Sequence, residues 1–295
     1  MSEKSASVLL AAVIIARATS YYFIKIGMEG LDVFNLLAVR FFVAVLLLAL
    51  LFHERLHPMK KSTLIHGTIL GVVFFVLMAF EFMALKTSPS STVSFLENTS
   101  IVLVPLLIGI TTRTLPKASA IFGMAITILG VGFLTYTPGG FALTRGEVFA
   151  LSAALSYAVV ILLTSRFAEE DDPFQLGFLQ ILWIFLLSTL ASFLAETPRW
   201  PQNQMEWTVI LVLAIVCTGF GFTLQPVAQR HTTPERAGMF CALNPMCATI
   251  MGVTLLGETL SIYKVAGILC IVTGLTVPIL IESRKKKQWQ SEPPA

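Results

Sequence analysis

The sequence predicts an all-α polytopic membrane protein of ten transmembrane helices, arranged as two inverted five-helix repeats. Three observations lead there: charge is scarce, the chain divides into ten long apolar runs, and its halves resemble each other. Of 295 residues, 56% are apolar and 13% charged, where soluble domains carry about 25% charged residues. A mean hydropathy of +0.82 excludes disordered and nucleic-acid-binding chains, both of which depend on charge density. A spanning helix takes about 20 apolar residues, so ten leave no room for a sizeable soluble domain.

The runs are 7–26, 33–52, 62–84, 90–110, 117–136, 146–165, 174–195, 206–229, 235–256 and 261–281. The first follows Glu3 and Lys4, contains Arg17 and lacks a small-residue cleavage site, so it is a retained helix rather than a signal peptide. The second carries Arg40 and runs out at His53. The third has a small-xxx-small face at Gly67 and Gly71, and Glu81 near its end. The fourth is interrupted by the polar stretch Glu97-Asn98-Thr99-Ser100, and the fifth holds Gly123 and Gly130. The sixth carries Tyr157 and stops before the acidic run Glu169 to Asp172. In the seventh, Gln180 stands one turn before Trp183. The eighth shows a polar stripe of Thr218, Gly221, Gln225 and Gln229. The ninth has Asn244 beside Pro245, and the tenth repeats glycine at 267 and 274 before a basic tail. Cys217, Cys241, Cys247 and Cys270 all lie in apolar stretches, as packing residues do.

Shifted by 144 residues, Ala84 meets Ala228, Lys86 meets Arg230, Ser88 meets Thr232, Gly123 meets Gly267 and Gly130 meets Gly274. The units are then residues 1–140, residues 141–285 and a cytoplasmic tail, 286–295. Because each unit has five spans, an odd number, the second enters the bilayer from the opposite side and is an inverted copy. Two such copies that exchange slightly different shapes turn an outward-open cavity into an inward-open one, which is the logic of a secondary carrier. Placing both termini in the cytoplasm puts 13 Lys and Arg on that side against 5 outside, with Arg17 and Arg40 inside spans.

Ionisable groups in hydrocarbon are expensive, so each is a candidate site residue. Arg17, Arg40, Glu81 and Glu97 balance in charge and are cheapest around one polar cavity; structural ion pairs that lock helix packing fit the same four. Tyr21 follows Arg17 by one turn on the same face, and Asn98 extends the polar break at Glu97. By the 144-residue shift Gln225 is the counterpart of Glu81, and Asn244 that of Ser100. Tyr157 and Trp183 lie within spans, where rings stack on a ligand or pack in the core.

Three motif matches remain. His53-Glu54-Arg55-Leu56-His57 fits the H-E-x-x-H pattern of zinc hydrolases, but Pro58 disfavours helix there and a third ligand is not apparent. Glu169 to Asp172 matches Asp-rich Mg²⁺ sites as a single run, which a solvated loop also explains. Asn98-Thr99-Ser100 is a glycosylation sequon buried in lipid. No Walker-type sequence is present, so the energy for transport comes from a gradient.

The residues Arg17 to Lys25 (RATSYYFIK), Arg40 early in the second helix, and Gly257-Glu258-Thr259-Leu260 followed by Gly267 and Gly274, in that order, resemble the EamA-type ten-helix carriers of the drug/metabolite transporter superfamily. The likeness covers nearly the whole chain. It implies two inverted five-helix repeats and export of amino acids, other small metabolites or drugs. The sequence departs from the family at Arg17-Ala18, where members often have Trp-Gly, and at Thr112-Arg113-Thr114-Leu115, the first copy of the Gly-Glu-x-Leu turn.

The expected function is therefore a secondary active exporter of small metabolites such as amino acids, in the plasma membrane, not an enzyme. No cofactor, metal or nucleic acid is expected, and proton coupling is. Arg17 or Arg40 would meet a substrate carboxylate, and Glu97 an amine or a proton. The alternatives are an intramembrane zinc hydrolase using His53, Glu54 and His57, and a non-transporting membrane subunit.

Overall fold

The computed structural model describes residues 3–115, 118–137, 140–141, 143–220 and 243–291. Six helical segments are long and apolar enough to cross a bilayer, and four shorter apolar helices complete ten spans in the order the sequence predicts. They are α1 (Glu3–Gly27), α2 (Val33–Phe52), α3 (Lys61–Thr87), α4 with α5 (Ser90–Asn98 and Ser100–Thr112), α6 (Ala118–Leu134), α7 (Arg145–Phe167), α8 (Pro173–Ala195), α9 (Gln204–Leu211, continued by a π-helix, Val212–Phe220), α10 (Leu243–Leu255) and α11 (Ile262–Ser291). A two-residue hairpin, Tyr136–Thr137 with Gly140–Phe141, joins the halves. The fold is all-α and polytopic.

Most spans are uniformly apolar, as helices solvated by lipid must be. Their ends are set by polar groups. Thr144 and Glu147 form a capping box at the start of α7, and Asp172 accepts the amides of Phe174 and Gln175 at the start of α8. Where α4 meets α5, the side chains of Asn98 and Thr99 bond back to the carbonyls of Ser94 and Leu96. Such back-bonding competes with the helix ladder, and the chain tightens at Thr99 before α5 resumes. The polar stretch at 97–100, read from the sequence as lying within one helix, thus coincides with an interruption of the helix itself.

The packing is reciprocal between the repeats. α1 lies against α9 as α7 lies against α3; α1 meets α10 as α7 meets α4; α2 packs on α8 and α6 on α11. The correspondence extends to individual bonds. The α1–α2 turn carries Met28 N to Ile24 O, Gly30 N to Gly27 O and Leu31 N to Gly27 O. The α7–α8 turn repeats them as Ala168 to Thr164, Glu170 to Phe167 and Asp171 to Phe167. These pairs are 140 residues apart, whereas the left-handed residues that end α5 and α10, Arg113 (φ 54°) and Gly257 (φ 65°), are 144 apart. The single shift read from the sequence therefore holds for the later helices. The difference enters near α8, which has 23 residues where α2 has 20.

Each repeat also holds a loop of the other. The Asn35 amide donates to Arg199 O at 3.1 Å, and the Gln175 amide donates to Arg55 O and Pro58 O at 3.0 and 3.2 Å. α6 and α11 approach through glycines: a Cβ on Gly267 would lie 2.6 Å from Leu134 N and 2.7 Å from Gly130 O. The pairs predicted at 123/130 and 267/274 do this packing.

Candidate functional site

At the centre of the bundle lies a cavity of about 120 Å³ walled by both repeats. α1 contributes Ile14, Arg17, Ser20 and Tyr21, at the three- and four-residue spacing that puts them on one face. α3 contributes Phe74, Leu77, Met78 and Glu81 by the same periodicity, and α2 contributes Arg40. Glu97 and Asn98 enter from the last turn of α4, beside the break at Thr99, with Ile101 following on α5. From the second repeat come Tyr157 and Ile161 on α7, Cys217 on the π-helix and Asn244 on α10.

Tyr21 donates to Glu97 Oε2 at 2.9 Å, both side chains being buried. Arg17 interacts electrostatically with Glu81 and Glu97, and Arg40 with Glu81. Arg40 Nε donates to Thr218 Oγ1 at 3.1 Å, and its guanidinium lies 5.2 Å from the centre of the Phe41 ring. Thr218 reaches Arg40 because α9 changes to π geometry at Val212, where the Thr218 hydroxyl bonds back to Leu213 O, five residues earlier. Segments of π geometry recur at functional sites; of the polar stripe read from the sequence Thr218 alone falls among the described residues, Gly221, Gln225 and Gln229 lying outside them. The Oδ1 of Asn244 is buried and has no hydrogen-bond partner among the described residues, an acceptor that a molecule in the cavity could use.

Eight of the ten residues singled out in the sequence thus line one space: Arg17, Tyr21, Arg40, Glu81, Glu97, Asn98, Tyr157 and Asn244. Trp183 does not line it; the side chain stands against Gly71, where any Cβ would collide with it. Gln225 lies outside the described residues. Sequence reasoning missed Ser20 and Cys217. The spacing of Ser20 from Arg17 was a usable signal, but the π-helix that presents Cys217 leaves none. Cys217, Cys247 and Cys270 are free thiols.

The motif matches look different in three dimensions. His53 to Leu56 form one 3₁₀ turn, and His57 beyond it is extended (φ −129°, ψ 141°), so the two histidines do not share a helix face. Among the described residues no group of three metal-ligating side chains comes together. Of the acidic run, Asp171 accepts from Ser62, Thr63 and His66 at 2.6 to 2.9 Å. Those bonds, Thr63's first, hold its carboxyl below the usual range.

Two carboxylates of the second repeat cap helices of the first. Glu196 accepts from the amides of Phe34 and Asn35 at 2.9 and 2.8 Å, at the start of α2. Glu258 accepts both the amide and the hydroxyl of Ser90 and of Ser91, at 2.5 to 3.1 Å, at the start of α4. Burial pushes the Glu258 carboxyl up, but the Ser91 and Ser90 bonds outweigh it and hold it below the usual range. Lys25 Nζ lies 3.7 Å from the same carboxylate.

Reciprocally packed five-helix repeats around a charged cavity define a polytopic carrier of small molecules. The chain belongs to the EamA-like transporter family, whose pattern it matches over residues 4–136 and again over 144–280. This places it among the transporters of the drug/metabolite transporter superfamily, multi-pass proteins that sit in the lipid bilayer and bind small-molecule substrates. It is 23% identical over 268 residues to an uncharacterized transporter of Archaeoglobus fulgidus, an alignment spanning 91% of this chain and 83% of that one. It is 25% identical over 214 residues to the threonine/homoserine exporter RhtA of Escherichia coli, spanning 66% of this chain and 70% of that one. A solved crystal structure with 21% identity shares the fold at a TM-score of 0.69, over 96% of this chain and 99% of the other.

Proposed function

We propose that the protein is a secondary active exporter of a small zwitterionic metabolite, such as a short-chain amino acid, working by alternating access in the plasma membrane with both termini in the cytoplasm. The observation that carries this reading is the convergence of two cations and two carboxylates on one small cavity, with Tyr21 holding Glu97. A zwitterion adds no net charge there. Its carboxylate replaces Glu97 or Glu81 as the partner of Arg17 or Arg40, and its ammonium takes the place of a cation at the carboxylates, so neither desolvated charge is left uncompensated. A cavity of roughly 150 Å³ admits benzene, so this one suits a molecule of comparable size, and threonine is of that order.

Glu97 also serves the proton. A carboxylate freed of Tyr21 and of substrate in a buried site takes up a proton, so substrate and proton can alternate there. The distant likeness to a threonine/homoserine exporter supports both the substrate class and the direction. Repeat units of 1–140 and 141–285 followed by a tail, and the excess of Lys and Arg on one side, support the assigned topology.

The test is flux of radiolabelled threonine, homoserine and neighbouring amino acids in proteoliposomes under imposed pH gradients. The expected result is uptake driven by the gradient in the parent, and uptake indifferent to the gradient in Glu97→Gln. Unchanged proton dependence in that variant contradicts the role given to Glu97.

A further inference from the structure

We infer that Glu258 is the positioning residue of a gate that shuts the cavity at the end of the bundle opposite the termini, and that α1 ties this gate to the occupancy of Glu97. The inference rests on the alternating-access reading above and names a contact that the reading does not.

Glu258 sits just beyond α10, and its four donors sit at the start of α4. The third party is Lys25 near the end of α1. These three helices bring Asn244, Glu97 and Tyr21 to the cavity. The cluster therefore lies beyond the cavity, toward the end where α1 finishes, and it joins the second repeat to the first. Opening a path at that end requires α10 to part from α4, which strips the carboxylate of charge-assisted bonds that pin it in place. Gly252 makes the approach possible: a Cβ there would stand 2.5 Å from Glu258 Oε2 and 2.8 Å from Ser90 Oγ.

The coupling runs through two side chains one helical turn apart on α1. Tyr21 holds Glu97 at one end of α4, and Lys25 holds Glu258 at the other. A substrate that displaces Tyr21 from Glu97 lets α1 move relative to α4, and Lys25 moves with it. The related position in the first repeat has no carboxylate. Arg113 and Gly257 share the left-handed turn, and the residue that follows Arg113 is Thr114, whose hydroxyl bonds to Thr112 within its own turn. The gate at the end opposite the termini is latched by a charge, and Thr114 offers none at the related position.

Cys217 on the cavity wall is a native reporter. With Cys241, Cys247 and Cys270 replaced by Ala, its reaction with a membrane-impermeant maleimide is timed in proteoliposomes from each side separately, alongside amino-acid flux. Glu258→Gln is expected to speed labelling at least about tenfold from the side away from the termini and not from the other. Gly252→Ala, which wedges the clamp without removing a charge, is expected to do the same. Labelling unchanged from that side in both variants, or raised equally from both sides as a loosened fold would give, overturns the gate. If labelling shifts as expected while the parent moves no amino acid, the gate stands and the substrate reading fails. Normal flux with unshifted labelling rejects the gate alone.

Discussion

In the first repeat the cavity wall carries Arg17, Arg40, Glu81 and Glu97; in the second, the same space is lined by Tyr157, Ile161, Cys217 and Asn244. Tyr157 occupies the place of Arg17 by the correspondence that relates the α1–α2 and α7–α8 turns. At the ends of the bundle the distribution reverses. Glu196, Glu258 and Asp171, all from the second repeat, hold the starts of α2, α4 and α3 in the first. Among the described residues, two copies of one backbone plan have thus divided the work: one copy supplies charge to the cavity, and the other supplies the carboxylates that hold the first copy's helices. The pseudo-symmetry needed for exchange of shapes lies in the backbone, so the side chains are free to differ.

The strongest challenge to that division is to neutralise the charged copy. Arg17→Gln leaves buried carboxylates short of a cation and is expected to lower flux about 100-fold, measured at equal protein content in proteoliposomes. Tyr157→Phe, at the related position, is expected to cost under about fivefold, the scale of one neutral hydrogen bond. Equal losses at the two positions would contradict the asymmetry.

Where the copies are equivalent, substitution tests packing alone. Gly267→Val drives a branched side chain into the backbone at Gly130 and Leu134. It is expected to lower thermal stability by roughly 5 °C or more, or to prevent folding, as overpacking does. Gly177 meets nothing within 4 Å at its Cβ position, so Gly177→Ala is expected to be neutral or slightly stabilising by the helix propensity of alanine. Both are read by the melting of detergent-purified protein.

The clamp gives a pH-dependent prediction. Because the Glu258 carboxyl is held below its usual value in the folded protein, its contribution is present above the unfolded value, about 4.3, and is lost as pH falls through the folded one. Glu258→Gln is expected to melt roughly 3 °C below the parent at pH 7, with the gap closing as the pH falls below 4. A gap that persists in acid would assign the stability to shape instead of charge.

Much of this was legible in the sequence because lipid imposes a simple rule: each span must be long, apolar and internally bonded. The ten spans follow from it, and so does the cavity, since Arg17, Arg40, Glu81 and Glu97 have few other places to go. Two features escaped for local reasons. The turn of α9 into π geometry shifts Thr218 toward Arg40, and no residue pattern announces that shift. Trp183 has the composition of a site residue, yet the pairing of α8 with Gly71 on α3 turns it aside. Glu258 escaped for a different reason. It stood out as part of a turn, but the serines it holds are 168 and 167 residues earlier, and only the fold brings them together.

The central claim is that the cavity binds a molecule carrying both charges. Thermal shifts of the purified protein with threonine, threonine amide, N-acetylthreonine and the corresponding homoserine series test it directly, because a ligand stabilises the state it binds in proportion to its affinity. The account predicts a concentration-dependent rise in melting temperature for at least one intact amino acid, and loss of that rise when either its carboxylate or its ammonium is masked. Equal shifts from the intact and masked forms would contradict it.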